Sequence, residues 1–327
     1  MQLNFTTLFN INYLAKGLAL HSSLLKTCSS FHLYIFAFDD ASYQILTGKN
    51  LSNATIISLK DFESEQLLYV KKERSVAEYC WTCTSFTIKY CLEKFDLTNC
   101  TYLDADLYFY KDPSVLINEM GDNSVLITPH NYYKEYDQSA TSGIYCVQFL
   151  TFKNTAEGNK VLDWWTQACL NWCYARYEDG KMGDQKYLDS WPYMFEGVYI
   201  CKNEHAGAAP WNAINYPEQK DIDGIIFYHF HDLQYFSDNT WFTGGYQIPR
   251  LVLDQIYRPY TKLLKAISEG INAHDCLNTK DKKSFGLLSS KYKLGIYIYD
   301  LKIAFKAFID ALFFIKKRKF YKNNFIK

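Results

Sequence analysis

Two Asp-x-Asp pairs stand in the chain, Asp104/Asp106 and Asp221/Asp223. The second lies in a polar stretch, EQKDIDG, and reads as a solvated turn. The first ends an apolar run, CTYLDADLYF, with Tyr102, Leu103, Leu107, Tyr108 and Phe109 around it. Side chains alternate along an extended segment, so this spacing puts both carboxylates on one side of it. Two carboxylates held close repel each other, and burying them without compensation is costly. A divalent cation removes that cost. Oxygen ligands of this kind suit Mg²⁺ or Mn²⁺, which keep positions open for substrate phosphate. Such a cation could bridge a diphosphate and neutralise charge as it leaves. A sugar nucleotide is a substrate of that class, because breaking its glycosidic bond requires stabilising a departing diphosphate and a cationic sugar together.

The elements that must position this pair follow from periodicity. Residues 3–9 read as a strand, 12–25 as a helix, 32–38 as a buried strand, a short helix follows Asp39, and 54–59 form another strand. Strands alternating with helices indicate a largely parallel sheet covered on both faces, with ligands at the carboxyl ends of the strands. A helical stretch over 76–95 leads into 101–110, and the strands 124–128 and 143–152 continue the sheet. Over 161–174, Val161, Leu162, Trp165, Cys169, Trp172 and Cys173 share one helical face, so the tryptophans read as packing. Residues 224–230 read as a last strand.

The overall charge is zero, 35 basic against 35 acidic residues, but it divides sharply: residues 280–327 carry 13 Lys or Arg and 3 Asp or Glu. That tail is therefore +10 and the body −10, which argues against nucleic acid as a partner and allows the tail an anionic surface. The ten cysteines include the pairs Cys80/Cys83 and Cys169/Cys173, without the further ligands of a zinc site. They read as small buried hydrophobes in a reduced, cytosolic protein whose start lacks a leader pattern. Charges at Asp300, Lys302, Lys306 and Asp310 interrupt the best candidate for a membrane span.

The segment TYLDADLYFYKDP, residues 101–113, resembles the metal-binding segment of GT-A fold nucleotide-sugar glycosyltransferases, in particular bacterial family 8-like enzymes of surface-polysaccharide synthesis. FTTLFNINYLAKGLAL (5–20) is similar to the opening nucleotide-binding strand and helix of that family, and TSGIYCVQF (141–149) to its NAGV strand. GDQKYLD (183–189) resembles the DQ motif and FYHFHD (227–232) the late HxxG segment, all in the family's order. The resemblance implies a Rossmann-like GT-A domain over residues 1–255, with a helical basic extension over 256–327. It implies nucleotide contacts from Asn10, Asn12 and Tyr13, and metal ligation by Asp104, Asp106 and His229, with His231 as fallback. Asp184 would hold sugar hydroxyls, and Gln185 would lie near the anomeric carbon. The implied activity is transfer of a hexose, with retention of configuration, from a nucleotide diphosphate sugar to a saccharide or lipid-linked acceptor. UDP is the nucleotide expected, with Mn²⁺ or Mg²⁺ as cofactor.

The sequence also departs from the family pattern. Asp232 replaces the glycine of HxxG, and the Lys-Pro-Trp that should follow is missing, while Ala209, Pro210 and Trp211 occur earlier. A lysine expected near the diphosphate is thereby unassigned, with Arg74 and Lys89 as candidates. The alternative function is a non-catalytic sugar-nucleotide-binding or regulatory protein of the same fold. In the tail, Leu301, Phe305, Phe308, Leu312 and Ile315 form one stripe ahead of KKRKFYKNNFIK. This segment suits either peripheral contact with the inner face of the cell membrane or a helix packed on the catalytic domain.

Overall fold

The computed structural model describes residues 2–271, 276–281 and 325–326. A seven-stranded sheet has the order β3-β2-β1-β4-β7-β6-β8. Its strands are β1 (Leu3–Phe9), β2 (Phe31–Ala37), β3 (Ala54–Ser58), β4 (Asn99–Leu103), β6 (Val125–Pro129), β7 (Tyr145–Lys153) and β8 (Val198–Ile200). Neighbours from β3 to β4 run parallel, whereas β7 runs antiparallel to both β4 and β6, so the sheet is mixed. Alternation along each strand feeds two cores. Leu33 and Ile35 of β2 join the cluster that contains the helix α1 (Leu14–Thr27), and Tyr34 and Phe36 join the cluster of the opposite face. The helices Val76–Lys94 and Ala156–Asn171 cover that opposite face, where Trp165 stacks on Phe152 and meets Trp191 edge-on. This is the packing role expected of Trp165; Trp172 caps the helix end instead of continuing it.

The expected single segment over 101–110 is divided. β4 ends at Leu103, Asp104 to Asp106 make a turn, and β5 (Leu107–Phe109) leaves the main sheet to pair antiparallel with β9 (Phe227–His229). The last strand is accordingly shorter than expected, because residues 219–224 form a helix closed by a capping box between Glu218 and Asp221. Asp221 and Asp223 therefore lie in a short helix and not in a turn.

Beyond residue 255, Tyr257, Tyr260 and Leu264 are buried in the same cluster as α1. β12 (Phe325–Ile326) pairs with β11 (Trp241–Phe242), which in turn pairs with β10 (Gln234–Tyr235). The stripe over 301–315 and, of the basic run after it, residues 316–324 and 327 lie outside the described residues. All ten cysteines are free, and nine are buried, in keeping with their reading as small hydrophobes. Among the described residues no helix is long and apolar enough to cross a membrane.

Candidate functional site

The turn between β4 and β5 brings the acidic pair together, rather than the alternation of an extended strand. Leu107 N–H donates to Asp104 O at 3.2 Å, Asp104 N–H to Gln148 O at 3.1 Å, and Phe230 N–H to Asp106 O at 3.0 Å. Because Leu107 pairs with His229 across β5 and β9, the imidazole is set beside the residue before Leu107. His229 Nε2 lies 3.2 Å from Asp106 Oδ1 and 3.7 Å from Asp104 Oδ2. Its other nitrogen, Nδ1, donates to Gln148 Oε1 at 2.8 Å, which leaves Nε2 free to ligate. Gln148 is wholly buried and packs so close to Gly207 that a Cβ there would meet its amide nitrogen at 2.7 Å.

Among the described residues, Asp104, Asp106 and His229 form a potential metal-ligand triad whose ligand atoms all lie within 4.8 Å of one another. Two carboxylates and an imidazole fit Mn²⁺ or Mg²⁺, and Asp104 keeps 28% of its side chain open to the cleft although protein surrounds it closely. Burial pushes the Asp104 carboxyl up to about 6, aided by Asp106 and opposed by His229. Burial also opposes ionisation of Asp106, but the Lys16 ammonium and then His229 outweigh it and hold that carboxyl well below the usual range. For His229, burial favours the neutral ring, and Asp106 and Asp104 reverse that and raise its pKa.

A cavity of about 580 Å³ opens over the triad. Asn10, Asn12 and Tyr13 line one wall. Asn10 Oδ1 accepts from Asn12 N–H at 3.2 Å, and Asp39 Oδ2 accepts from Ile11 N–H at 2.8 Å, so the segment is pinned at the end of β1. Asp184 and Gln185 line another part. Trp165 Nε1 donates to Asp184 O at 2.9 Å, while burial and then Asp104 push the Asp184 carboxyl up to about 7. The Gln185 side chain donates to Ser142 O at 2.8 Å and accepts from Val147 N–H at 3.4 Å, leaving one lone pair of its oxygen. His231 lies past the end of β9, exposed at the cavity rim and outside the triad.

Neither basic candidate reaches the cavity. Arg74 is occupied by Thr82 Oγ1 and by Leu170 O at 2.6 Å, and Lys89 pairs with Asp163 and Glu93 on the outer surface. The buried cation near the acidic pair is Lys16, 3.4 Å from Asp106 Oδ2. The sequence motifs assign no role to Lys16 or Gln148. Their signal was present: a lone cation inside LAKGLAL and a lone amide inside CVQFLTF, each polar where the neighbours are core. Trp211, the tryptophan of GAAPWN, covers His229 edge-on at 5.4 Å between ring centroids.

No protein-family model matches the chain. The uncharacterized protein YfnD of Bacillus subtilis (strain 168) is 30% identical over 281 residues, 80% of this chain and 88% of that protein. The chain belongs to the YfnD family. YfnF of the same organism, also uncharacterized, is 28% identical over 251 residues, 72% of this chain and 83% of its own length. In structure, the YfnD-family chain is similar to the galactosyltransferase LgtC crystallised with donor and acceptor sugar analogues. The TM-score is 0.51 at 14% identity, over 81% of this chain and 96% of LgtC. At that identity the likeness is one of fold, and the fold is GT-A.

Proposed function

We propose that this YfnD-family chain is a metal-dependent hexosyltransferase that takes its sugar from a nucleotide diphosphate donor, UDP-hexose foremost, and passes it to a saccharide or lipid-linked saccharide hydroxyl. The observation that carries this reading is the convergence of Asp104, Asp106 and His229 at one cavity of a GT-A fold. These three residues would hold Mn²⁺ or Mg²⁺, which when bound supplies Lewis-acid neutralisation of a leaving diphosphate. Asn10, Asn12 and Tyr13 bind the nucleoside on their wall of the cavity. Asp184 accepts hydrogen bonds from sugar hydroxyls, and the remaining lone pair of Gln185 Oε1 faces the positive charge that develops on the sugar. Trp211 and its aromatic neighbours exclude water from the His229 side. Attack by the acceptor from the face the diphosphate leaves, with that phosphate taking the hydroxyl proton, gives retention.

The test is release of UDP from UDP-glucose, UDP-galactose and their N-acetyl forms, with Mn²⁺ and with chelator, over a panel of saccharide acceptors. Metal-dependent release is expected with one donor. Replacing Asp106→Asn should lower it about a hundred-fold or more, because several kcal/mol of charge stabilisation depend on the cation. Tight UDP binding with no turnover on any acceptor would favour the non-catalytic reading, and no nucleotide binding at all would end both. NMR of the product reports retention through the anomeric configuration.

A further inference from the structure

The Gln185 amide is held at both ends, by Ser142 O on its nitrogen and by Val147 N–H on its oxygen. A carbonyl can only accept and a backbone N–H can only donate, so a flipped amide would set oxygen against oxygen and N–H against N–H. These two contacts therefore decide which way round the amide lies. Ser142 is held in turn by a carboxylate behind the cavity wall. Ile144 N–H, two residues on, donates to Asp189 Oδ1 at 2.7 Å. Lys186 Nζ donates to Asp189 Oδ2 at 2.8 Å and to Ser139 O at 2.7 Å. Between Ser142 and Ile144, Gly143 has a φ of +109°, and a Cβ there would meet Asp189 Oδ1 at 3.2 Å, so the chain passes the carboxylate in a conformation that favours glycine. Asp189 and Lys186 keep 19% and 13% of their side chains exposed, and neither lines the cavity. An ordinary i,i+3 ion pair ends on its own helical turn. This one reaches backbone groups 45 and 47 residues earlier in the chain.

We propose that Asp189 is a positioning residue for Gln185: by holding Ile144 N–H, with Lys186 holding Ser139 O, it fixes Ser142 O where that carbonyl sets the amide with its oxygen toward the sugar. The inference rests on reading Gln185 as the group beside the developing positive charge. A neutral amide oxygen stabilises such charge only if it is already oriented when the charge appears, because turning it then would cancel the gain. Displacing a group of this kind by about 1 Å costs about a hundred-fold in rate. The nucleoside wall belongs to the end of β1 and the segment after it, so UDP affinity should not follow Asp189.

The experiment uses the full chain, carrying isotope-labelled glutamine for NMR, as parent, Asp189→Ala, Asp189→Asn, Gln185→Ala and the double variant Gln185→Ala/Asp189→Ala. The side-chain NH2 resonances of Gln185 are identified by their loss in Gln185→Ala. Asp189→Ala should move them toward the position of a free amide. Asp189→Asn keeps an oxygen for Ile144 N–H and should leave them near the parental position. With the UDP-hexose that the parent uses, Asp189→Ala should lower kcat about ten- to a hundred-fold at unchanged UDP affinity. In the Gln185→Ala background the same change should cost less than about two-fold, because the group it positions is gone. Equal losses in both backgrounds would give Asp189 a role independent of Gln185 and overturn the proposal, as would unmoved Gln185 resonances in a folded Asp189→Ala protein. Parental Gln185 resonances already at the free position overturn it even if Asp189→Ala fails to fold. No turnover by the parent with any donor, by contrast, overturns the transferase reading itself, while the resonance shifts still decide whether Asp189 holds the amide.

Discussion

Asp106 and Asp184 are both buried, at 7% and 5% exposure, yet their surroundings drive them in opposite directions. Asp106 has a cation and an imidazole within reach and stays ionised, whereas Asp184 meets burial and the nearby charge of Asp104. A carboxyl raised to about 7 in the folded chain keeps its proton where the unfolded chain, at about 4, has lost it. Asp184 therefore supports folding most below about pH 4, and that support is lost as pH rises to about 7. The expected outcome is that Asp184→Asn melts above the parent at about pH 8, by roughly 2–4 °C for each kcal/mol relieved, and level with it near pH 4. Calorimetric scans across that range test this; equal melting curves at the higher pH would contradict the buried carboxyl. A residue that costs stability where the protein works is the kind retained for binding.

At the scale of elements, the site depends on how tightly α1 lies against β1. Gly17 faces Phe9 at the end of that strand, and a Cβ at position 17 would meet the Phe9 ring at 2.3 Å. Alanine would gain about 1 kcal/mol of helix propensity over glycine. Overpacking in a dense core costs about 1–3 kcal/mol, and here the obstacle is a ring that is 97% buried, so the steric cost should win. Gly17→Ala is expected to lose about 1–2 kcal/mol in urea unfolding, with the Asn10–Tyr13 segment displaced along with Phe9. Increased stability in that variant would mean that α1 can move away freely. The pairing of β5 with β9 is the second such dependence, since it brings His229 beside the acidic turn although 123 residues of sequence separate His229 from Asp106.

Across the whole molecule, the neutral total conceals a body of −10 and a tail, residues 280–327, of +10. Peripheral contact of the basic segment with an anionic membrane would draw on about 1 kcal/mol per basic residue near the surface, whereas a helix packed on the catalytic domain would give no such attraction. With membrane contact, sedimentation with phosphatidylserine-containing vesicles should carry the chain down at low salt and release it as salt screens the attraction; indifference to vesicle charge would rule that contact out. Much of the fold was legible in advance because its signals are local. The strand Leu3–Phe9 and the helix Val76–Lys94 follow from periodicity, and the Ser75–Glu78 capping box fixes where that helix starts. Asp104 and Asp106 were legible as polar residues at the edge of an apolar run, and His229 through the resemblance of FYHFHD to the late HxxG segment. What the sequence determined by itself was therefore the elements and the donor atoms. Tertiary structure decided the rest: that the acidic pair meets through a turn, that Lys16 rather than Arg74 or Lys89 is its cation, and that Gln148 orients the imidazole. Those outcomes depend on contacts between strands and helices far apart in the chain, and no local period or propensity encodes which distant side chains share a buried volume.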